Sequence, residues 1–446
     1  MYTFSSKLRM GAIILMIVGL LGIAYGFISA PGTVEEAKAM VSNAGHGGHE
    51  TEAHEEHGEA VTAHHGEASH EAHAEGHSAE HDEHVFHQLQ NKPYAALYVA
   101  AFFFMMISLG VLAFYAINRA AQAGWSPVLF RVMEGITAYL LPGAVILIVV
   151  WVVANMGHHH LFIWTDKEVV AEDHLLQGKS GYLNMVSFLI RAVIYVAGWV
   201  LYRQFSRKFS IAQDTAEDDR YYVKNFRISA VFLVFFLVTE SMMSWDWIMS
   251  VEPHWFSTLF AWYVFASMFV SGITVIAMVT IYLKSKGYLE YVNDSHLHDL
   301  AKFMFGISIF WTYLWFSQFL LYWYSNIPEE ATYFVQRIAD YKLPFFGMVV
   351  MNFLFPLLVL MNSDYKRLGW FIIMVGCVIL VGHYLDIYNM IMPSTVGSQW
   401  SIGIPEISSV LFFLGLFIMV VFTALTKVPL LAKRNPFIGE SKHFHY

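Results

Sequence analysis

Seven ionisable residues stand where their surroundings make charge expensive or decide its exit: Arg191, Glu240, Asp246, Glu252, His254, His383 and Asp386. All but Glu252 and His254 fall inside long apolar runs, and those two follow directly after one. A charge at membrane depth is retained for pairing or for function. His383 and Asp386 are three residues apart, so on a helix they share one face. A carboxylate beside an imidazole fixes its tautomer, and the pair can hand on a proton. It serves equally as a local hydrogen bond in a packed bundle interior. Counting about 1.5 Å per residue from the ends of their runs puts Arg191 roughly 12 Å from one surface and Glu240 roughly 18 Å from the other. In a hydrocarbon core of about 30 Å these depths coincide. The expectation is an Arg191–Glu240 ion pair between consecutive helices, acting either as a clasp or as a gate on a proton path. Asp246, between Trp245 and Trp247, reads either as an interfacial residue of an aromatic belt or, with Glu252 and His254, as the exit of such a path.

Other chemistry is excluded by what is missing. The chain has one cysteine, Cys377, so it offers no Cys-x-x-Cys-His haem attachment and no thiolate set for an iron–sulfur cluster. His383 is the one histidine well inside an apolar run, which leaves a haem without paired axial ligands. No covalently bound cofactor or redox centre of its own is expected. The aromatics Trp311, Trp315, Phe316, Phe319, Tyr322, Trp323 and Tyr324 fit a quinol or menaquinone contact, or packing against lipids. His158, His159 and His160 form a weak metal or quinone-head-group candidate, which membrane-surface polarity explains equally well. Residues 46–87 hold twelve histidines and eleven Asp and Glu. That composition cannot bury a core, and it suits metal capture, proton buffering or plain solvation.

The elements that position these residues are membrane helices. Of 446 residues, 57% are hydrophobic and only 14% are charged, well below the quarter charged that is usual in soluble domains. Apolar runs long enough to span lie near 10–29, 95–117, 136–155, 183–204, 228–250, 257–283, 301–325, 344–361, 369–390 and 406–427. The eighth is short and carries Pro344 and Pro356. The organisation read from these runs is a first helix over 1–29, a His/Glu-rich and largely disordered loop over 30–93, a nine-helix domain over 94–427 and a tail over 428–446. The first run is long for a signal peptide and is followed by a poor cleavage site, so it is expected to be retained. Lys and Arg concentrate in the even-numbered loops and the terminal tails, Arg119 and Arg131 among them, and are sparse in the odd-numbered loops. The positive-inside rule then puts both termini in the cytoplasm and the His-rich loop in the periplasm. The net charge of −9 comes from the acidic residues of that loop, so nucleic acid is not an expected partner.

Three stretches carry a family resemblance: Leu175–Asn184 (LLQGKSGYLN), Ser244–Thr258 (SWDWIMSVEPHWFST) and Phe316–Glu330 (FSQFLLYWYSNIPEE). Each resembles the F subunit of bacterial alternative complex III, a quinol:cytochrome c oxidoreductase, in which this subunit is known as quinone-binding subunit 2. The resemblance implies an NrfD-like fold, a pair of four-helix bundles plus two extra helices, in the bacterial inner membrane. It implies partner subunits carrying c-type haems and iron–sulfur clusters, a homologous C-type membrane subunit, and a terminal oxidase or cytochrome as acceptor. In that family quinol oxidation is associated mainly with the C subunit, and the F subunit with structural support or a proton path. No quinol-site motif matches residue by residue. A subunit that binds quinol itself, and a stand-alone ion transporter or channel, remain the alternative readings.

Overall fold

In lipid every backbone N–H and C=O must be satisfied within its own segment, which makes a chain of this hydropathy helical. The computed structural model describes residues 1–45, 67–156 and 161–445, without the side chains of 43–45 and 67–80. Among the described residues there is no strand, and ten helices are long and apolar enough to cross a membrane. The spans are α1 (Ser6–Ile28), the long α3 (Glu67–Ala120), α4 with α5 (Phe130–Ile136, Leu140–Met156), α8 (Met185–Gln213), α9 (Arg220–Trp247), α10 (Phe260–Ser285), α11 (Asp294–Ser325), a broken eighth span, α15 (Gly369–Val396) and α16 (Ile404–Leu425). Connecting helices are α2 (Val34–Gly45), α6 (Lys167–Glu172), α7 (His174–Lys179), α12 (Pro328–Ala339) and α17 (Ile438–Lys442). The chain is thus an all-α, multi-pass membrane protein.

Local sequence sets the ends. Asn184 caps α8 by accepting the Ser187 N–H at 2.9 Å, and Asn293 caps α11 by accepting from Ser295 and His296. Glu406 reaches back to the Gly403 N–H at 2.8 Å to start α16. The eighth span is α13 (Lys342–Val349), a π-helical turn (Val350–Leu354) and α14 (Phe355–Val359). Pro356 has no N–H for the Asn352 carbonyl, and the ladder shifts so that Phe355 N–H bonds to the carbonyl of Val350, five residues back.

Two rings of four spans result. In the first, α3 packs on α5 and α9, and α8 joins them. In the second, α10 packs on α11 and α15, and the broken span (α13, α14) closes the ring. The rings meet where α3 crosses α10 and α15. A Cβ at Gly110 would stand 2.3 Å from the Met268 carbonyl oxygen, and one at Gly272 would stand 2.8 Å from the Val111 nitrogen. The close approach of α3 and α10 therefore needs both glycines, as small-residue crossings in membranes do. The remaining pair, α1 and α16, lies alongside as a two-helix unit. The Tyr2 ring sits 6.0 Å from Phe422 on α16 and 5.0 Å from Tyr288. The chain start and the end of α16 thus share one face, here termed the terminal face.

Two readings of the sequence change. Where loose order is expected over 30–93, helix occupies Val34–Gly45 and everything from Glu67 onward; residues 46–66 lie outside the described residues. Ala and Glu are good helix formers, α2 packs on α3, and a Lys38–Asp82 ion pair at 2.6 Å joins them. The fourth and fifth spans also continue as helix well past their apolar runs, to Gln213 and from Arg220. Hydropathy ends where the lipid ends, whereas the hydrogen-bond ladder continues into water.

Candidate functional site

The second ring encloses a file of polar groups. α15 places His383 and Asp386 on its inner face, both fully buried, with His383 Nδ1 3.5 Å from Asp386 Oδ2. α10 runs past them and presents Tyr263 and Ser267 at helical spacing. Tyr263 donates its hydroxyl hydrogen to Asp386 Oδ1, and Ser267 Oγ lies 2.9 Å from His383 Nδ1. From α11, Trp311 donates its indole N–H to Asp386 Oδ2 at 2.8 Å and sets its ring edge-on to the imidazole. The π-turn brings Asn352 to within 3.4 Å of His383 Nδ1. That approach depends on Gly382, where a Cβ would stand 2.1 Å from Asn352 Oδ1. The carboxylate is thus held by neutral donors and an imidazole, with no Arg or Lys among its partners.

Beyond Tyr263 lies a cavity of about 10 Å³, lined also by Trp315, Gln318, Arg337 and Asn389. Trp315 Nε1, Gln318 Nε2 and Asn389 Oδ1 are buried there without hydrogen-bond partners among the described residues. Two donors and one acceptor around a space of about one water's size make a water site. On its far side Arg337, 1% exposed, is tied down on all sides. Its Nε donates to the Asn389 carbonyl at 2.9 Å, one of its terminal nitrogens donates to the Tyr333 carbonyl, and the guanidinium lies 3.3 Å over the Tyr333 ring. The Asn389 carbonyl is free to accept because Pro393, four residues on, has no N–H to give it. Burial pushes the Tyr333 hydroxyl up to about 12, so it remains a neutral neighbour. Arg337 then meets Glu252 at 3.4 Å, and Ser394 donates to the same Glu252 oxygen at 2.9 Å. Glu252 is 23% exposed and ends the file at the face opposite the termini.

The first ring corrects one expectation. Arg191 does not pair with Glu240. It forks onto Asp246, Nε to Oδ2 at 2.8 Å and Nη2 to Oδ1 at 3.1 Å. Tyr195 adds a hydroxyl to Asp246 Oδ2 at 3.0 Å, and the Tyr182 ring lies 3.8 Å from the guanidinium. The depth count failed because α9 begins at Arg220 and because a long Arg side chain reaches toward the nearer surface. Asp246 is fully buried. Glu240 is buried apart from this pair, and its Oε1 accepts from Ser244 at 3.1 Å.

A second correction concerns Arg119 and Arg131, read from sequence as loop charges. Both are buried, 5% and 3% exposed. Arg131 pairs with Glu134 at 3.0 Å and with Asp214 at 2.7 Å, while Arg119 donates to Tyr115 and Ser210. This network locks the terminal-face end of the first ring. An Arg-x-x-Glu spacing at 131–134 was the available signal.

His254 is set apart from the file. Its Nε2 lies 2.5 Å from Asp173 Oδ2, at the surface. The three stretches that carry the family resemblance converge there: Lys179 donates to the Pro253 carbonyl at 2.6 Å, and Tyr322 donates to the Phe256 carbonyl at 2.5 Å. His158, His159 and His160 lie outside the described residues. Of the sequence candidates, then, His383, Asp386 and Glu252 fall in one file, Arg191 and Asp246 form a separate pair, and Glu240 and His254 belong to neither. Tyr263, Asn352 and Arg337 were missed, and Trp311 was read only as a quinol- or lipid-facing aromatic. Tyr263 had a readable signal of its own, the polar stripe Tyr263, Ser267, Ser271 and Thr274 along one helix face.

Fold and site together define a ten-span helical membrane protein with a polar file in one bundle. The chain matches no protein-family model and no curated protein.

Proposed function

We propose that this chain is a membrane subunit, without a redox centre, of a respiratory quinol-oxidising complex in a bacterial inner membrane, and that its second ring carries protons to the face opposite the termini. The carrying observation is the file from His383 and Asp386 through Tyr263 and a water-sized cavity to Arg337 and Glu252. Within the His383–Asp386 pair a proton changes owner without a change of net charge, which suits a site where an isolated ion is costly. His383 Nε2 has no partner among the described residues and is the nitrogen open to take up a proton. The Tyr263 hydroxyl can pass one on by donating to water in the cavity as it accepts from Asp386. Arg337 fixes Glu252 at the exit. Membership of a complex rests on the resemblance of the three stretches, which all reach the exit face. In this reading the termini are cytoplasmic, the exit is periplasmic, and haem- and cluster-bearing subunits supply the electrons' path.

The test is Asp386→Asn and Glu252→Gln in the purified complex, reconstituted in vesicles, read as protons moved per electron. The expected result is normal assembly and quinol oxidation with a reduced proton yield. An unchanged yield in both variants refutes the route. Ion transport by the chain alone in liposomes would favour a transporter instead.

A further inference from the structure

Between α8 and α9, on the outside of the first ring, an apolar groove of about 480 Å³ opens laterally. Its size is that of a ligand pocket, about 300–1,000 Å³. Gly198, Tyr202, Phe205 and Phe209 line it from α8, and Arg227 and Phe235 from α9. Gly198 makes the groove: a Cβ there would stand 2.2 Å from the Phe235 ring and force it to move. From Gly198 to Phe209 the floor runs about 16 Å along the helix, roughly the depth of one leaflet.

The groove's hydrogen-bonding capacity is confined to its mouth. Tyr202, the polar side chain on the floor, is committed to Ser229 at 2.8 Å. Arg227 is exposed at the terminal-face end and has neither an ion pair nor a hydrogen bond among the described residues. Lys224 lies one turn before it and Lys208 three residues after Phe205, both exposed. An apolar trough one leaflet deep, with an unpaired permanent cation and two lysines at the water end, is complementary to one class of molecule. We propose that this groove is a binding site for an anionic phospholipid, with an acyl chain against Phe205 and Phe235 and the phosphate on Arg227. A quinone fits it poorly, because its neutral carbonyls would find no donor along the floor.

The site lies in the other ring from the polar file, so its test is independent of the proton route. The full-length chain would be exchanged into nanodiscs of phosphatidylcholine doped with phosphatidylglycerol, and retained lipid counted by native mass spectrometry. The expected result is selective retention of phosphatidylglycerol. Arg227→Gln should lower the preference about fivefold, the value of one basic residue near an anionic headgroup. Val231→Trp, at the exposed groove rim, should abolish retention of either lipid by filling the trough. No preference in the wild type, equal retention in Arg227→Gln, or displacement of the lipid by millimolar inorganic phosphate alone would each overturn the proposal. So would retention of an isoprenoid quinone in its place.

Discussion

Asp246→Asn should cost far more than Glu240→Gln, although both replace a buried carboxylate by its amide on the same helix. Removing one partner of a buried ion pair costs about 3–5 kcal/mol, because the other charge is left unpaired. Arg191 keeps 12% of its side chain exposed. It would also keep the Tyr182 ring, the Tyr182 carbonyl and a 2.6 Å hydrogen bond to Ser187 Oγ. The lower end, about 3 kcal/mol, therefore applies. Glu240 strands no cation, and its carboxylate accepts from the Ser244 hydroxyl, so Glu240→Gln should cost about 1 kcal/mol. The difference is more than tenfold in a folding equilibrium. Heat- or denaturant-induced unfolding in detergent measures both variants. A cycle with Arg191→Met should add a coupling of about 2 kcal/mol between positions 191 and 246 and none between 191 and 240. Equal costs for the two amides, or strict additivity of Arg191→Met with Asp246→Asn, would refute the pairing.

Three further outcomes follow from the geometry. Arg337→Lys keeps the charge but loses the fork that serves Asn389, Tyr333 and Glu252 together; a loss of about 2–3 kcal/mol in the same unfolding assay is expected, and an unchanged transition would show that the fork is dispensable. Gly382→Ala should destabilise by about 1–3 kcal/mol through its clash with Asn352, and Asn352→Ala in the same chain should recover most of it; absence of rescue would place the strain elsewhere. Asp173 has its carboxyl held below the usual range chiefly by the hydrogen bond from His254, with help from the Leu175 and Leu176 N–H groups at the start of α7. A folded-state value below the unfolded one contributes stability above the unfolded value of about 3.9 and loses it as pH falls through the folded value. Protection of the Leu175 and Leu176 amides, taken relative to the intrinsic exchange rate at each pH, should therefore hold above the ordinary carboxylate range and fall as the Asp173 carboxyl protonates below it, and Asp173→Asn should remove that pH dependence; protection that stays constant through the acid range would count against the cap.

The number of spans was legible because about 20 apolar residues is a requirement of the bilayer, independent of what the helices touch. The His383–Asp386 contact was legible for a similar reason, since three residues on a helix fix a shared face. Pairing between helices was not. Arg191 chose Asp246 over Glu240 through the register of α8 on α9, and no count along one chain supplies a register. Arg337 was hidden differently. It stands in a short connection that sequence counts as a charged loop, and its shorter hydrogen bonds go to backbone carbonyls, which have no side-chain signature. Pro393, four residues after Asn389, was the one visible sign that such a carbonyl would be open.

The two rings hold their buried aspartates in contrasting ways, and the contrast bears on which ring suits the proposed proton route. Each Asp accepts a tyrosine hydroxyl, Tyr195 for Asp246 and Tyr263 for Asp386. Asp246 is also gripped by both prongs of Arg191. A proton arriving there would leave a guanidinium unpaired beneath the surface, at a cost of several kcal/mol, so the pair is suited to holding α8 and α9 in register. Asp386 has no Arg or Lys among its partners in the described residues. A proton arriving there strands nothing, because the imidazole beside it and the neutral donors from Tyr263 and Trp311 can reorient around either form. The first ring is closed further by Arg119, Arg131 and Glu134 at its terminal-face end. Both rings leave buried polar atoms without partners among the described residues, at Trp151, Trp245 and Trp247 in the first and at His383, Trp315, Gln318 and Asn389 in the second, but in the second Trp315, Gln318 and Asn389 line one small cavity. Unspent hydrogen-bonding groups in a buried interior cost stability, and they are tolerable where water or a travelling proton uses them. On that ground the clasp is assigned to the first ring, and the proposed proton route to the second.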